Sequence, residues 1–237
     1  MKNLFLSVLL SISLVGFAQK PDSASASGFD LGADLVSRYI WRGMKFSTAP
    51  AIQPYISYTF KGFTLGTWAS YAFTDDASQE VDLYLSYNYQ LFTFTLNDYF
   101  YVLDQFGNYN DYFDWDKTTS SHYLEGIFEF SGFDKVPVRF LAGIMLLGGD
   151  IDANNDRQFS TYFELAYDFK IKNVDTEVFV GFTPFSGFYS DGFDFTNVGL
   201  KASKDINITE KFSIPFSGSF IMNPAAKTVM FLATVSF

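Results

Sequence analysis

Charged side chains recur at every second or fourth position in several stretches of this chain, a spacing that places them on one face of a strand. Asp30, Asp34, Arg38 and Arg42 begin the series. Its later members are Glu80, Asp82, Glu125, Glu129, Arg139, Glu164, Asp168, Asp175, Glu177 and Lys201. Inside a closed sheet these charges would line a water-filled path, and the excess of acids would favour cations. The alternative is that they pair across strands, for example Arg38 and Arg42 with Glu80 and Asp82, and plug the interior.

Other chemistries find less support in the residue types. The chain has no cysteine, which excludes disulfides and thiolate sites for metals or redox chemistry. Its net charge of −10 repels nucleic-acid phosphates. The single histidine, His122, shares its phase with the apolar Leu124, and the side chain of Ser121 must point to the opposite face, so a serine hydrolase is not expected. We therefore predict no enzyme activity and no cofactor, and a histidine at the rim.

Two long connections could carry a function of their own. Asp150, Asp152, Asn154 and Asp156 alternate as the ligands of a calcium loop do, but the turn glycine and the closing glutamate of such loops are missing. We therefore predict a solvated acidic loop without a metal. Residues 102–121 mix aromatic and acidic side chains and could fold over a mouth, contact a ligand, or form an exposed surface.

The charged positions belong to segments in which hydrophobicity alternates with a period of two. Over residues 29–43 the odd positions are mostly apolar or aromatic, and the even positions carry the charges. We count about twelve such segments, most of them near the nine to eleven residues that a tilted membrane-spanning strand needs. Short and long connections alternate between them, with Lys204 to Lys211 as a long exception. Asp98 breaks the phase, as do Phe193 and Phe195, and either a bulge or a position above the membrane rim would accommodate each break.

The side chains on the two faces indicate which face points outward. The apolar face holds Phe, Leu, Val and Tyr at most sites, and so many large rings would not fit inside a barrel of this size. We therefore predict an all-β fold: a closed antiparallel, transmembrane up-and-down β-barrel of about twelve strands. The alternative is a soluble β-protein with the apolar face turned inward. Aromatic residues near the strand ends are predicted at the membrane interface, namely Tyr39, Trp41, Tyr58, Tyr71, Tyr87, Tyr89 and Tyr167.

The ends of the chain predict its destination. Residues 1–18 have the charged start, apolar run and small residues of a secretory signal peptide. Residues 19–28 form a flexible leader, and residues 29–237 form the barrel. The last strand ends on Phe237, which we interpret as a signal for the barrel-insertion machinery. Together these features predict the outer membrane of a Gram-negative bacterium, with outer-membrane lipid, that machinery and small solutes as partners, and no nucleic acid.

The string Ser37-Arg38-Tyr39-Ile40-Trp41-Arg42-Gly43 resembles the TorF-like porin family, and residues 50–54, 62–70 and 80–84 extend the match. The resemblance covers about the first third of the mature chain. It implies a β-barrel and passive transport with undefined substrates. We therefore predict a porin for small hydrophilic solutes or ions, weakly cation-preferring. The alternative is a non-conducting barrel that serves structure, adhesion or recognition through its loops.

Overall fold

The computed structural model describes residues 27–74, 77, 79–103, 109–210 and 212–237. The predicted signal peptide and nearly all of the predicted leader lie outside the described residues. The first strand begins at Gly28, one residue before the predicted start of the barrel.

Twelve antiparallel strands close into an up-and-down barrel in which each strand pairs with its neighbours along the chain and the first pairs with the last. In chain order the strands are β1 (Gly28–Val36), β2 (Ile40–Trp41), β3 (Met44–Lys45), β4 (Ala51–Phe60), β5 (Phe63–Ala72), β6 (Gln79–Tyr89), β7 (Phe92–Leu103), β8 (His122–Phe130), β9 (Val138–Gly148), β10 (Thr161–Ile171), β11 (Val174–Thr183), β12 (Asp194–Thr209), β13 (Phe212–Asn223) and β14 (Thr228–Ser236). All except β2 and β3 belong to the barrel, so the predicted closed antiparallel barrel and its strand number are confirmed, whereas its membrane location stays a prediction.

Side chains alternate between the two surfaces of the barrel as the sequence period predicts. On β1, Leu31 is 72% exposed and Asp34 is 2% exposed. The same alternation on the other strands leaves an outer surface of Phe, Leu, Ile, Val and Tyr side chains. Because closure pairs every barrel strand on both edges, the backbone groups within the shared ladder are satisfied without a helix or a covering layer.

The two ends of the barrel differ in their connections. One end, the turn side, has tight turns such as Lys61-Gly62 and Lys172-Asn173. β1 begins at this end, and β14 runs toward it. The other end, the loop side, holds the connections 37–50, 149–160 and 184–193. This asymmetry follows the predicted alternation of short and long connections. Among the described residues, no helix has the length and apolar character to cross a membrane.

One predicted connection is wrong. Lys204 to Lys211 was expected to be a long loop, but β12 continues to Thr209 and β13 begins at Phe212. β11 pairs with β12 only as far as Ser203, and β14 pairs with β13 only from Phe216 onward. The two strands therefore project from the turn side as a ribbon, stabilised by pairing with each other.

The phase break near Phe195 is a bulge, as expected. The pairing of β11 with β12 shifts register between Gly181 and Phe182, so that Gly181 faces Asn197 and Phe182 faces Phe195. Thr196 is the residue without a partner in this ladder, and its side chain is fully buried. The extra residue changes which face the following side chains occupy.

Candidate functional site

After β1 the chain turns into the barrel instead of continuing along its wall. β2 and β3 pair through a two-residue turn in which Arg42 has φ 48° and Gly43 has φ 77°, the geometry of a type I′ hairpin. A Cβ atom at Gly43 would lie 1.9 Å from the carbonyl oxygen of Thr196, so only glycine fits there. The Asn223 side-chain amide donates to the Gly43 carbonyl at 3.1 Å. We call residues 39–46 the inner hairpin.

Aromatic side chains of the inner hairpin fill the loop-side half of the interior. The ring of Trp41 lies 5.3 Å from that of Tyr99, and the ring of Tyr39 lies 5.5 Å from that of Trp68. Tyr39 and Trp41 are 5% and 3% exposed. Their predicted place at the membrane interface is therefore wrong, because the chain leaves the barrel wall after Val36 and carries both rings inward.

Arg42, at the tip of the inner hairpin, reaches across the interior to β8. Its Nη1 and Nη2 atoms donate to the two carboxylate oxygens of Glu125 at 2.5 and 3.0 Å. Nη1 also donates to the Tyr189 hydroxyl at 2.5 Å, and the Tyr99 hydroxyl donates to Glu125 at 2.6 Å. We call these four residues the clamp. A bidentate arginine–carboxylate pair adds geometric specificity to its charge.

Burial makes the clamp depend on its pairing. Arg42 and Glu125 are both almost completely buried, and an unpaired charge in such a place is strongly unfavourable. Burial lowers the pKa of Arg42, but the Glu125 carboxylate and the hydroxyls of Tyr189 and Tyr99 together raise it by more, so the pKa lies well above its usual value. The guanidinium carbon also lies 4.5 Å from the ring centres of both Trp41 and Tyr162. Arg42 is thus held as a cation between one carboxylate and aromatic faces.

Gly143 on β9 makes room for the clamp. A Cβ atom there would lie 2.3 Å from Oε1 of Glu125 and 3.0 Å from Nη2 of Arg42. The sequence analysis missed Gly143 and the tyrosines of the clamp. Gly143 and Tyr99 stand on the inward positions of their strands, which is a signal that could have been used. Tyr189 lies in the connection 184–193, outside the strands, where the alternation of side chains gives no indication of which way a residue points.

The remaining loop-side candidates form separate groups. Glu80 and Asp82 lie side by side on β6 at 1% and 0% exposure, and an oxygen of each has no partner among the described residues. Asn97 contacts Asp82 at 3.5 Å. Arg42 pairs with Glu125 and not with this acidic pair, which corrects the pairing weighed from the sequence. Glu164 accepts from Asn197 at 2.9 Å and from Tyr162. Asp34 is buried on β1, and Arg38 is half-buried.

The turn-side half of the interior is more open. Arg139 donates to Asp168 at 2.8 Å and to Glu177, so these predicted lining residues form one cross-strand cluster. The other turn-side candidates, Asp30, Glu129 and Lys201, are half-buried. The same depth carries half-buried hydroxyl and amide side chains, namely Thr59, Thr64, Ser86, Asn88, Thr93, Thr95, Ser203 and Ser217. These polar side chains line the turn-side half of the interior, which we call the vestibule, whereas the loop-side half is filled.

The remaining aromatic candidates lie on the outer surface. Tyr58, Tyr71, Tyr87, Tyr89 and Tyr167 are all exposed. Phe237 is also exposed, and its backbone pairs with that of Ala33 in the middle of β1. The outward position of these side chains agrees with the sequence analysis, and their contact with a membrane interface stays a prediction.

The acidic loop uses its carboxylates to shape itself. Asp152 accepts the backbone N–H groups of Asn154 and Asp156 at 2.8 and 2.9 Å, and these hydrogen bonds lower the pKa of Asp152. Asp150 accepts from the backbone N–H and the hydroxyl of Ser160 at 2.8 and 2.6 Å. Within the part of the chain that the structure describes, no group of three or more acidic or histidine side chains is arranged to hold a metal ion.

The arrangement can obstruct a path and, if the inner hairpin moves, release it. One polar contact set, the clamp, joins a hairpin between β1 and β4 to the opposite wall of the barrel. A scan of protein-family models and a search of the curated proteins each find no match to this chain.

Proposed function

We propose that this protein is an outer-membrane porin whose path is closed by the inner hairpin and opens when the clamp breaks. Small hydrophilic solutes or ions would then pass between the vestibule and the loop side. The observation that carries the proposal is the buried pairing of Arg42 with Glu125 in the filled loop-side half, next to a turn-side half that holds many half-buried polar side chains. Acidic side chains outnumber basic ones along the interior, so the open path would weakly favour cations.

The membrane part of the proposal is supported by the outer surface. An apolar face on every barrel strand would be unfavourable in water, whereas hydrocarbon accepts it without further packing. Closure also leaves no unpaired strand edge along the shared ladder, which is the condition for crossing a bilayer with strands. The resemblance to the TorF-like porin family and the predicted signal peptide point to the same location.

Single-channel recording in planar lipid bilayers tests conduction. We expect brief, small openings for the wild-type protein and longer, larger ones for Arg42→Ala, because this variant removes the cation that joins the inner hairpin to Glu125. Lys170→Ala is the matched control, since it breaks an ion pair with Asp175 that is exposed at the turn-side rim, away from the clamp. The control should conduct as the wild type does.

Two outcomes would contradict the proposal. If the wild type and Arg42→Ala are both silent, the protein is not a porin. If the open channels of Arg42→Ala prefer anions in a salt gradient, the selectivity is wrong even though conduction stands. Recovery of the protein in the aqueous fraction without detergent would refute the membrane location itself.

A second candidate function is a non-conducting barrel that acts through its loops. The observation that favours it is the exposure of large rings on the loop side, with Tyr109 at 79% and Phe113 at 83%. Liposome swelling separates the two functions. Swelling in small sugars by Arg42→Ala vesicles supports the gated path, whereas its absence, with a correctly folded barrel, supports recognition by the loops.

A further inference from the structure

His122 lies on the outer face of the barrel and is fully buried there. Residues 109–121, which we call the outer flap, lie against the wall formed by β7 and β8. The indole of Trp115 stacks on the His122 ring with centroids 3.9 Å apart and planes at 15°. The ring of Tyr112 meets Phe100 at 5.1 Å. His122, which was predicted at the rim, is therefore covered by the outer flap. The described flap lies on the outer wall of the barrel and does not cover its mouth.

Both nitrogen atoms of the His122 ring face hydrogen-bond acceptors. Nδ1 lies 2.9 and 3.0 Å from the carboxylate oxygens of Asp98 on β7, and Nε2 lies 2.8 Å from the carbonyl oxygen of Tyr112 in the flap. A carbonyl oxygen accepts only, and so does an ionised carboxylate. A neutral imidazole has a single N–H, whereas the imidazolium has two and satisfies both acceptors. This pairing also explains why Asp98 stands on the apolar face.

No other charged side chain of the described flap contacts the ring. Asp111, Asp114 and Asp116 accept backbone N–H groups within the flap itself. Lys117 donates to the carbonyl of Asn155 at 2.6 Å, in the acidic loop. From the connection after β9, the backbone N–H of Gly149 donates to the His122 carbonyl, and the Ser120 hydroxyl accepts the His122 backbone N–H. On the interior face of β6, Asp82 feels the charge of Asp98 through the wall.

We propose that a doubly protonated His122 ties the outer flap to the barrel wall, and that loss of one ring proton releases the flap. The step is a simple acid–base reaction. The N–H proton leaves to water, Asp98 stays a carboxylate, and one ring nitrogen then faces an acceptor without a hydrogen between them. Because the tie depends on the protonation of the ring, the flap would respond to the pH of its surroundings.

Nitrogen-15 NMR of the folded protein in detergent tests the protonation directly. His122 is the only histidine in the chain, so histidine-labelled protein without a polyhistidine tag gives signals from this ring alone. We expect both nitrogens at imidazolium shifts at pH 5, and one of them at the unprotonated shift at pH 9. A neutral ring across the whole range would overturn the proposal.

Fluorescence of Trp115 tests whether the flap follows the ring. The difference between wild-type and Trp115→Phe emission isolates this indole from Trp41 and Trp68. Stacking on an imidazolium quenches indole emission, so the difference signal should rise and shift to the red along the NMR titration. If the Trp115 emission does not change as the His122 ring titrates, release of the flap is refuted.

Two variants sharpen the assignment. His122→Gln should show no change in Trp115 emission between pH 5 and 9, because its amide does not titrate. Asp98→Asn keeps an acceptor but removes the negative charge, so release should shift to lower pH. An Asp98→Asn protein that releases at the wild-type pH would exclude the ion pair. The wild-type NMR result stands as a test even if either variant fails to fold.

Discussion

The loop-side and turn-side halves of the barrel interior are built from the same alternating strands, yet only the loop-side half is filled. The inner hairpin brings Tyr39, Trp41 and Arg42 into the loop-side half, where aromatic rings and the clamp surround them. None of the segments that the structure describes enters the turn-side half, which keeps half-buried hydroxyl and charged side chains. The strand period therefore decides which way side chains point, whereas an inserted connection decides whether the interior is open.

Charge pairing differs between the halves in the same way. The arginine of the loop-side half is buried with its carboxylate and depends on it. In the turn-side half, Arg139 also has a buried partner, Glu177, but it shares its charge with a second carboxylate, Asp168, which is 42% exposed. A buried pair is costly to break on one side, whereas an exposed partner is screened by water. Variants that break one half should therefore leave the other in place.

Removing the clamp arginine should have the largest effect. We expect Arg42→Ala to lower the free energy of unfolding by about 3–5 kcal/mol, because Glu125 is left buried without a counter-charge. Equilibrium urea unfolding in detergent micelles measures the loss. The double variant Arg42→Met with Glu125→Met should recover much of it. A loss below about 1 kcal/mol for Arg42→Ala would mean that the clamp is solvated, as surface pairs are.

Filling the space beside the clamp should have a smaller effect. Gly143→Ala places a methyl group against Glu125 and Arg42, and we expect it to cost about 1–3 kcal/mol by overpacking. Gly126→Ala on β8 is the matched control, since its nearest neighbour is the flexible end of Leu146 at 3.3 Å. Equal unfolding midpoints for the two variants would show that the clamp shifts without cost to admit the methyl group.

Chemical labelling should distinguish the halves without disturbing them. The chain has no cysteine, so a single introduced thiol reports on one position. Ser86 faces the vestibule and is half-buried, whereas Ser70 is 2% exposed beside Gln53. We expect Ser86→Cys to react with a charged thiol reagent at least about tenfold faster than Ser70→Cys, which needs local opening. Equal rates would refute the difference in filling.

The loop-side rim should also respond slightly to acid. Backbone hydrogen bonds lower the pKa of Asp152 from its ordinary value of 3.8. The stability that this carboxylate adds is therefore complete above that value and is lost as the pH falls below it. Amide hydrogen exchange of Asn154 and Asp156 should accelerate there, after correction for the intrinsic pH dependence. Asp152→Asn, whose amide oxygen still accepts, should remove the acid dependence.

The fold could be predicted because its signal is local. Each strand repeats its apolar side chains at every second position, and turns such as Lys61-Gly62 interrupt the pattern where the chain must reverse. The projecting ribbon was missed because Lys204 to Thr209 are polar at alternate sites, and both a strand and a loop carry such residues. Propensity alone does not separate these outcomes.

The site could be predicted only in part because its contacts are distant in sequence. Arg42 and Glu125 were both identified as inward charges, but they stand 83 positions apart and nothing local pairs them. Tyr189 stands 147 positions from Arg42. The period of two also continues through residues 37–43, so the alternation predicted a longer β1. The chain instead leaves the wall after Val36 and turns at Arg42-Gly43, because Glu125 and Tyr189 in the interior bind the Arg42 side chain.

The connection 37–50 starts and ends at directly paired residues, since Val36 faces Ala51. Whatever displaces the inner hairpin, its two tethers stay a few ångströms apart, so the segment can swing but never diffuse away. In the proposed porin, return of the inner hairpin to its closed position would then be a first-order event, with a rate independent of the protein concentration. Arg42 stays close to Glu125 throughout, which is equivalent to a high local concentration. Because both ends of the connection 37–50 are fixed, the inner hairpin could leave the path only by bending, and it would return without a partner.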